Sequence, residues 1–355
     1  MPIHVKQAGS WKIVKDVWQK QAGVWSLVEI VRCKVTGNWT VVHAAEIVVI
    51  VAANQNNIII KDLFTAEDWA STTRKKKVVL NSGIVAGDEG RANWAVRTGT
   101  GRGSVLTINN KGEIQGFGGL ANSGDGGVAL LIDQEGVTVV NDGAIRGGGG
   151  GGGRGGVGGV GGAGVYYALG PSQGNQYNET THNWRVNTAN TIIQLYYGGL
   201  IYEGSGNDSI TSIDQGSYRY NRGAYVGQIS TWSYLVIWRQ IISYPYNTSG
   251  GAGGAGGAGG RGIGYNQTNQ AGAGGALGAL GGTNAGRGGT GGTGGAGAGW
   301  GQVGNTGNTG GTGANGNNGA GGVGVPGTEG GDGGAAIAGV ARTVINNGTI
   351  NGAQV

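Results

Sequence analysis

The stretch GGAGGAGGAGGRGIG, residues 250–264, decides how this chain must fold. Glycine loses more backbone freedom on folding than any other residue, so such a run is ordinarily a flexible linker. The chain holds 85 glycines among 355 residues but only 4 prolines. Collagen needs abundant proline beside its periodic glycine, which excludes a collagen-type helix. The glycine therefore belongs either to a disordered tail or to another ordered architecture.

The glycine runs keep a period of three over long distances, as in GGTGGTGGA (288–296) and GNTGNTGGT (304–312). An extended left-handed helix has three residues per turn and no internal hydrogen bonds, so its amides and carbonyls need partners on neighbouring segments. Neighbouring backbones can come close enough to bond to each other only where the residues between them lack a Cβ. In a Gly-Gly-X repeat, two of the three faces of the helix carry no side chain. The pattern predicts a bundle of polyglycine-II helices, with a disordered low-complexity tail as the alternative.

The remaining composition favours strands and gives little support for nucleic-acid binding. Charged residues make up 12%, and the net charge is +5 with all ten lysines before residue 112. The apolar residues are mostly Val, Ile, Ala and Trp, which suit strands. The dense basic run Arg74–Lys77 stands in no recognition motif. We therefore interpret it as a solvated face and expect no nucleic-acid partner.

The single cysteine and the N-terminal sequence argue against a disulfide-bonded, zinc-binding or secreted protein. Cys33 is alone, so no intrachain disulfide or cysteine-based zinc site is expected. The start, MPIHVKQAGSWKIVKDVWQK, has no apolar stretch of signal-peptide type. No run of eighteen apolar residues exists, so no membrane insertion is expected. We expect a chain made in a cytoplasm, without cofactor or metal.

A repeat of 14 residues occupies the first 45 positions. Glycines fall at 9, 23 and 37 and tryptophans at Trp11, Trp25 and Trp39, each followed by a β-branched run. Turn glycines before alternating β-branched residues are typical of short antiparallel strands. The repeat predicts a β meander pinned by tryptophan. Such a small sheet leaves edges to pair, so the three tryptophans are candidate docking residues.

A second repeat is LTINNKGEIQG (106–116), VTVVNDGAIRG (137–147) and TVINNGTING (343–352). Apolar residues alternate and are then interrupted by an Asn-Gly-like corner, where asparagine tolerates the left-handed conformation. This pattern is typical of the rungs of a β-solenoid.

The fold class is therefore mainly β: a Trp-repeat meander, solenoid-like rungs, and a polyglycine-II bundle carrying an inserted β domain. Residues 46–97 hold solid apolar runs and one helical turn with Thr65 as N-cap. The predicted domains are an attachment module (1–45), a mixed connecting segment (46–97), rungs with the first glycine block (98–164), an aromatic-rich inserted β domain (165–249), the polyglycine-II bundle (250–334) and a closing rung (335–355).

The insertion 165–249 is the candidate recognition region. It holds twelve of the thirteen tyrosines, together with Trp184, Trp232 and Trp238. Tyr, Trp and Arg give large contact area at low entropic cost, and aromatic faces stack on sugar rings. The alternative is that these aromatics form the small core of the insertion. The candidate contact residues are Tyr196, Tyr197, Tyr218, Tyr220, Tyr225, Trp232, Tyr234, Trp238, Tyr244 and Tyr246.

The sequence offers little for catalysis. His4, His43 and His182 are the only histidines, and none stands in a nucleophile motif. Asp208 and Asp214 could form a carboxylate pair for glycoside cleavage, although their spacing does not select them. The glycine strings lack the G-K-[ST] ending of a phosphate loop. We expect no enzyme, with a depolymerase as a minor alternative.

Together, the Gly-Trp repeat, RTGTGRGSVLTINNKGEIQGFGG (97–119), the GGxGGxGG blocks and INNGTING (345–352) resemble distal tail-fibre proteins of tailed bacteriophages. The resemblance is to the adhesins with polyglycine-II sandwich domains. It implies a rigid glycine scaffold whose exposed segments bind a receptor, either a bacterial surface saccharide or an outer-membrane protein.

The resemblance also implies a place in the virion tail. The Trp repeats would attach the chain to other tail or fibre proteins, and a homotrimer is possible. That family usually carries short variable loops, whereas here one insertion runs about 85 residues. Two alternatives remain: a purely structural fibre component, and an ice-binding protein that uses regular Ala and Thr on a flat bundle. The Trp repeat and the insertion argue against ice binding.

Overall fold

The computed structural model describes residues 4–7, 10–13, 17–21, 24–28, 30–35, 38–90, 92–176, 182–206 and 209–355. The described chain is mainly β, as the composition predicts, with one short α-helix and one 3₁₀ turn. Three modules follow one another in space: N-terminal hairpins, a three-faced solenoid, and a glycine bundle that carries a separate sheet.

The N-terminal residues form three antiparallel hairpins, each a separate two-stranded sheet. The strands are β1 (His4–Gln7), β2 (Ser10–Ile13), β3 (Trp18–Gln21), β4 (Val24–Leu27), β5 (Ile30–Val35) and β6 (Asn38–Ala44). Among the described residues of 4–44, strands pair only within these three hairpins, whereas the sequence predicts one meander. Trp39 is 69% exposed. Gly9, Gly23, Gly37 and the side chains of Trp11 and Trp25 lie outside what the structure describes.

Three parallel sheets build the solenoid, one strand of each per rung. The first face consists of β7 (Ile47–Val51), β10 (Lys76–Leu80), β13 (Leu106–Asn110), β16 (Val137–Asn141) and β28 (Arg342–Asn346). The second face consists of β8 (Gln55–Asn56), β11 (Val85–Gly87), β14 (Glu113–Gln115), β17 (Ala144–Arg146) and β29 (Thr349–Asn351). The third face consists of β9 (Ile58–Ile59), β12 (Trp94–Arg97), β15 (Val128–Ile132) and β27 (Ile337–Gly339).

The Asn-Gly repeat stacks as predicted. Its asparagines Asn110, Asn141 and Asn346 pair in register across neighbouring rungs. Each side-chain Nδ2 donates to the Oδ1 of the next asparagine at 2.7 Å. Because a buried amide is costly when unpaired, this ladder ties the strand register to the corner residues.

Residues 46–97, which the sequence suggests merely connect modules, form the first two rungs of the solenoid. Val51 and Leu80 hold the register positions that asparagine holds in later rungs. The first two rungs therefore lack the Asn-Gly corner motif, and the amino-acid sequence does not show that they are repeats. The interior is filled with Ile, Leu and Val, including Ile60, Leu106, Leu130 and Ile145, each at most 1% exposed.

Between the first two rungs lie a 3₁₀ turn (Ile60–Leu63) and helix α1 (Ala66–Ala70). Thr65 caps α1 as predicted, because its Oγ1 accepts a hydrogen bond from the Asp68 amide at 3.1 Å. The helix buries Trp69 against the solenoid core.

The basic run Arg74–Lys77 is not uniformly a solvated face, because Lys76 is fully buried. Lys76 occupies the inward position of β10, where its Nζ donates to the carbonyls of Ser71 (2.8 Å) and Arg74 (3.3 Å) and to Ser104 Oγ (3.0 Å). Burial, and then the nearby Arg102, lower the pKa of Lys76. The three acceptors satisfy its ammonium, as a buried charge requires.

The glycine bundle leaves the solenoid after β17 and returns at β27. Five segments of about fifteen residues run back and forth beside residues 147–163. Four of them hydrogen-bond to 147–163, and the fifth, which includes 270–279, bonds to two of the other four. Amides of every third central residue, from Gly149 to Gly161, donate to carbonyls from Ile263 back to Gly251. The next set, from Gly150 to Gly162, donates to carbonyls from Gln302 to Ala314. The first glycine block is thus the core of the bundle, and 250–335 wraps around it.

The central segment is all glycine where neighbouring backbones cover three of its faces, and it has the sequence Gly-Gly-X where they cover only two. Residues 147–153 are all glycine and buried, and the chain at 116–127 covers their third face. A Cβ at Gly148 would lie 1.7 Å from the Phe117 carbonyl oxygen, and one at Gly151 1.8 Å from that of Leu120. Beyond that cover, the third positions carry exposed side chains: Arg154, Val157 and Val160. Every third residue of the central segment therefore carries a side chain where no neighbouring backbone lies opposite it.

The insertion forms its own antiparallel sheet. Its strands are β18 (Gly164–Ala168), β19 (Gln173–Gln176), β20 (His182–Asn187), β21 (Ile192–Tyr197), β22 (Leu200–Ser205), β23 (Ser212–Gln215), β24 (Tyr218–Ile229), β25 (Trp232–Ile241) and β26 (Tyr244–Thr248). The sheet order is β22-β21-β20-β25-β24-β23, with β19 also paired to β25. Strands β18 and β26 pair separately and form the neck between this sheet and the bundle.

Candidate functional site

The insertion lies at the end of the bundle remote from the solenoid. The near-end turns touch the solenoid side, since Tyr265 and Gly301 donate their amides to the carbonyls of Gly116 and Gly147. The far-end turns, 282–285 and 316–319, contact the neck instead. The bundle therefore separates the insertion from the solenoid by the full length of its segments.

Two turn asparagines hold the neck. The Asn317 side chain accepts from the Val165 amide and donates to the Val165 carbonyl, both at 2.8 Å. Asn284 Nδ2 donates to the same carbonyl at 3.0 Å. On the other neck strand, Thr248 Oγ1 donates to the Thr283 carbonyl at 2.7 Å. Asn317 thus pairs with β18 as a neighbouring strand would, and it orients the insertion on the bundle.

Replacing Asn317 by alanine is expected to loosen the neck without unfolding the bundle. Two hydrogen bonds to Val165 disappear, at a cost of about 1 to 2 kcal/mol for the junction. Amide hydrogen exchange at Val165 should then accelerate at least about fivefold. The control is Asn318→Ala, because Asn318 uses only its backbone amide, bonded to the Ala163 carbonyl. Unchanged exchange at Val165 in the Asn317 variant would show that the turn does not hold the neck.

One face of the insertion sheet is its core. Trp184, Ile193, Leu195 and Ile237 are fully buried there. The guanidinium of Arg239 lies 4.5 Å from the Tyr197 ring centroid and 4.4 Å from that of Tyr218. The connection from β22 to β23 contributes Ile210, which packs against this cluster. The face is therefore covered by its own chain.

The opposite face carries a row of aromatic and cationic side chains, which we call the arginine–aromatic face: Arg185, Tyr196, Trp232, Tyr234 and Trp238. The Arg185 guanidinium lies 3.9 Å from the Tyr196 ring centroid and 5.2 Å from that of Tyr234. Its Nε also donates to Asn183 Oδ1 at 2.8 Å. Alternation along β25 places Trp232 and Trp238 on the same side as Tyr234.

The geometry of this face suits a preformed contact surface. Arg185, Tyr196, Trp232 and Trp238 are half-buried, so each presents one side while its neighbours hold the other. Planar guanidinium stacking on aromatic rings limits the rotamers that binding would otherwise have to freeze. Such side chains offer stacking surfaces for a sugar ring or an apolar loop, with amide and guanidinium donors beside them.

The ten predicted contact residues divide into four groups. Tyr196, Trp232, Tyr234 and Trp238 lie on the arginine–aromatic face, although Tyr234 is only 6% exposed and serves mainly to support Arg185. Tyr220, also 6% exposed, and its partners Tyr197 and Tyr218 pack in the core instead. Tyr218 and Tyr220, two positions apart on β24, and Tyr197 on β21 face the covered side, so Tyr220 does not belong to the arginine–aromatic face.

The other predicted residues lie apart from this face. Tyr244 and Tyr246 belong to the neck, where Tyr246 stacks on Tyr166 with ring centroids 5.4 Å apart. The Tyr246 hydroxyl donates to the Leu169 carbonyl at 2.9 Å. Tyr225 stands at an irregular part of β24 and is 61% exposed. Strand alternation alone could not find Arg185, because its two tyrosine partners come from two other strands.

The carboxylate pair considered for glycoside cleavage has no support. Asp214 accepts two hydrogen bonds from Arg219, at 2.7 and 2.8 Å. These bonds lower the pKa of Asp214, so it stays ionised and would be a poor general acid. Asp208 lies outside the described residues. Within the part of the chain that the structure describes, no three His, Cys, Asp or Glu side chains lie close enough together to hold a metal ion.

The two ends of the solenoid differ. Arg342 closes the last rung, donating from Nη1 to the carbonyls of Gly339 (3.0 Å) and Val355 (2.9 Å) and from Nη2 to Ile337 (3.0 Å). The first rung has no such cover among the described residues. The edge strands of this face, β7 and β28, each pair on one side only. Val48 and Ile50 of β7 are 50% and 59% exposed, and Ile345 of β28 is 48% exposed. In the described ranges, no helix is long and apolar enough to cross a membrane.

The described chain is thus a glycine bundle that joins an aromatic-rich antiparallel sheet at one end to a parallel β-solenoid at the other. A family model described as the phage tail fibre adhesin Gp38 matches residues 46–235, more than half of the chain. The chain therefore belongs to the Gp38 family of phage tail fibre adhesins. It is a non-enzymatic part of the virion tail that binds a receptor on the host bacterium, as the sequence resemblance predicts.

Among solved structures, the gp37–gp38 adhesin tip complex of the bacteriophage S16 long tail fiber is similar to this chain. The two share 15% identity with a TM-score of 0.35, over 88% of this chain and 83% of that one. A comparison with curated protein sequences finds no match.

Proposed function

We propose that the insertion makes the receptor contact of this adhesin and that its arginine–aromatic face is the contact surface. The observation that carries this proposal is the Tyr196–Arg185–Tyr234 stack, flanked by Trp232 and Trp238. Of these five side chains, all but Tyr234 are partly exposed. Arg, Tyr and Trp are the residues that dominate binding energy at protein surfaces. The receptor classes that fit such a face are a surface saccharide and an outer-membrane protein.

The scaffold is, in this proposal, a bundle of polyglycine-II helices. The support is the period of three in the backbone hydrogen bonds between segments, together with the absence of Cβ space at the inward positions. Three residues per turn is the period of that helix. Such a bundle resists bending because every segment bonds to several neighbours. A stiff scaffold would hold the receptor face at a fixed distance from the tail.

We further propose that the opposite end attaches the chain to another fibre protein, as the S16 complex contains two fibre proteins. The first rung offers an unpaired strand edge with exposed Val48 and Ile50, and the hairpins beside it expose Trp18 and Trp39. At the last rung, Arg342 bonds to the carbonyls of Ile337 and Val355. The predicted attachment tryptophans thus remain candidates at this end.

The test is competition for host cells by the purified full chain. Cells incubated with the chain should adsorb fewer phage in proportion to the amount bound. The matched variant replaces residues 169–243 by an Asn-Gly turn, because Ala168 and Tyr244 are the last paired residues of the neck and a two-residue turn can join them.

We expect this shortened variant to fold but not to compete. If it competes as well as the full chain, the contact lies on the bundle turns and not on the insertion. If the full chain itself does not bind host cells, the receptor is not engaged by this protein alone.

A further inference from the structure

The insertion sheet holds an open cavity of about 350 Å³, which we call the tip cavity. Three of its residues stand in register on neighbouring strands: Val186 of β20 and Gln228 of β24 each lie opposite Ser233 of β25. Binding sites for small molecules begin at about 300 Å³, so the tip cavity suits a small ligand. The end of β20 and the turn after it complete the lining with Asn187, Thr188 and Asn190.

The tip cavity lies at the end of the sheet that is remote from the neck. Strand β25 begins beside the cavity at Trp232 and ends at Ile241, three residues before the neck strand β26. At the usual rise of a strand, the cavity is roughly 30 Å from the neck. The Thr188 amide donates to the Thr231 carbonyl at 2.8 Å, which bonds the two tip turns to each other. The cavity is therefore already formed without a ligand, at the outer end of the insertion.

The lining of the tip cavity is polar but uncharged. Five of its six residues carry an amide or a hydroxyl group, and none is acidic or basic. In the part of the chain that the structure describes, the hydroxyls of Ser233 and Thr188 have no hydrogen-bond partner. Gln228 Nε2 donates to the Ser230 carbonyl at 3.2 Å, and its Oε1 is available as an acceptor. The cavity thus offers both donors and acceptors without a charge.

This lining discriminates between the classes of ligand. A uronic acid or a phosphorylated sugar would bring an anion into a cavity that has no cation to pair with it. A protein loop anchors itself through large apolar or aromatic side chains, and Val186 is the one apolar residue of the lining. A neutral sugar ring has hydroxyls that donate and accept, together with an apolar face of C–H groups. Its chemistry matches the amides, the hydroxyls and the single valine.

We propose that the tip cavity binds one neutral sugar residue of a saccharide on the host surface. This rests on the proposed function, in which the insertion makes the receptor contact, and it selects the saccharide from the two receptor classes. Gln228, Ser233 and Thr188 would bond to the sugar hydroxyls, and Val186 would contact the apolar face of the ring. Trp232, next to Ser233, stands on the opposite side of β25, so part of the arginine–aromatic face lies at the same tip.

The probe is polysaccharide released from host cells and freed of lipid and protein, and its binding to the full chain is measured against concentration. We expect saturable binding. Ser233→Val should weaken it about tenfold or more, because the added methyl groups occupy the cavity while a β-branched residue suits the strand. Gln228→Ala should weaken it about three- to tenfold, through the loss of a hydrogen bond.

The matched control is Gln215→Ala, the same substitution at the neck end of β23 and outside the tip cavity. It should change binding less than about twofold. Melting curves show whether each variant is folded. Should Ser233→Val fail to fold, Gln228→Ala decides the matter, because Gln228 is an exposed residue.

Single sugars supply a second readout. The neutral sugars that compose the polysaccharide are tested as competitors at millimolar concentration, with glucuronic acid and glucosamine as charged counterparts. At least one neutral sugar should displace the polysaccharide, and the charged sugars should not. Gln228→Ala should weaken this competition by the same factor as it weakens binding of the polysaccharide.

The outcomes separate this inference from the proposed function. If the chain binds host cells but not the released polysaccharide, the receptor is a protein and the tip cavity is not its site, while the insertion still stands as the contact. If the polysaccharide binds but neither variant weakens it, or if only a charged sugar competes, the tip cavity does not bind a neutral sugar. If the variant that lacks residues 169–243 still binds the polysaccharide, the proposed function fails as well.

Discussion

Gly156→Ala is expected to unfold the glycine bundle, whereas Val157→Ala next to it should leave the bundle intact. A Cβ at residue 156 would lie 1.7 Å from the carbonyl oxygen of Val325. That carbonyl cannot move away freely, because it accepts from the Gly310 amide at 3.0 Å, while the Val325 amide donates to the Val157 carbonyl at 2.8 Å. The central segment would have to separate from its neighbour.

The size of the effect follows from two opposing terms. Glycine to alanine normally stabilises a chain by about 0.4 to 1 kcal/mol, through the entropy of the unfolded state. Overpacking against fixed backbone costs about 1 to 3 kcal/mol and occasionally more. Since the obstacle here is hydrogen-bonded backbone and not a flexible side chain, we expect a net loss of at least about 3 kcal/mol and a large fall in melting temperature.

The measurement is thermal unfolding of the full chain, with Val157→Ala as the control. Val157 is 48% exposed, so removing its methyl groups should shift the melting temperature by only a few degrees. A Gly156→Ala variant that melts at or above the temperature of the parent chain would show that the segments do not pack backbone against backbone.

The second large effect is expected at the receptor. Arg185→Ala should reduce binding to host cells by about thirtyfold or more, the loss typical of a central hot-spot residue. The guanidinium is expected to act both as a donor and as the support of Tyr196 and Tyr234. Arg185→Lys keeps the charge but loses planar stacking, so it should restore little of the binding. Trp238→Ala should produce a loss of similar size.

Tyr167→Ala provides the control, because Tyr167 is 64% exposed but lies in the neck, away from the arginine–aromatic face. It should bind host cells normally. Should Arg185→Ala also bind normally while Tyr225→Ala does not, the contact lies at the exposed part of β24. Melting curves of all variants are needed, since Arg185 also bonds to the buried Asn183.

The sequence predicts the fold well where a single physical rule determines the residue type at each position. The Asn-Gly corners identified three rungs, because an amide ladder needs asparagine at the same corner of successive rungs. The first two rungs escaped notice, because Val51 and Leu80 satisfy the same corner with apolar packing. The burial of Lys76 was equally invisible, since two of its three acceptors are backbone carbonyls from the corner that contains the helix.

The candidate site shows the same division. Tyrosine and tryptophan content singled out the insertion, and alternation placed its aromatics on strands. The accessibility of each aromatic residue depends on how distant strands pair. Tyr220 faces the core because β24 pairs with β25, whereas Tyr196 contacts Arg185 because β21 pairs with β20. Asn317 could not be recognised either, because Val165, the residue it bonds, is 152 positions away.

By itself, the sequence determined that the chain is mainly β, that its glycines form ordered period-three segments beside solenoid rungs, and that the insertion is rich in aromatic residues. Those properties follow from local rules. The space available for a Cβ, the alternation of side chains along a strand and the backbone conformation of a turn each constrain individual residues. The tertiary structure alone decided which glycine block lies at the centre, which face of the insertion sheet forms its core and which segments complete the solenoid rungs. The physical reason is that these depend on which segments become neighbours, and a hydrogen-bonded neighbour leaves no mark on the local sequence beyond the absence of a side chain.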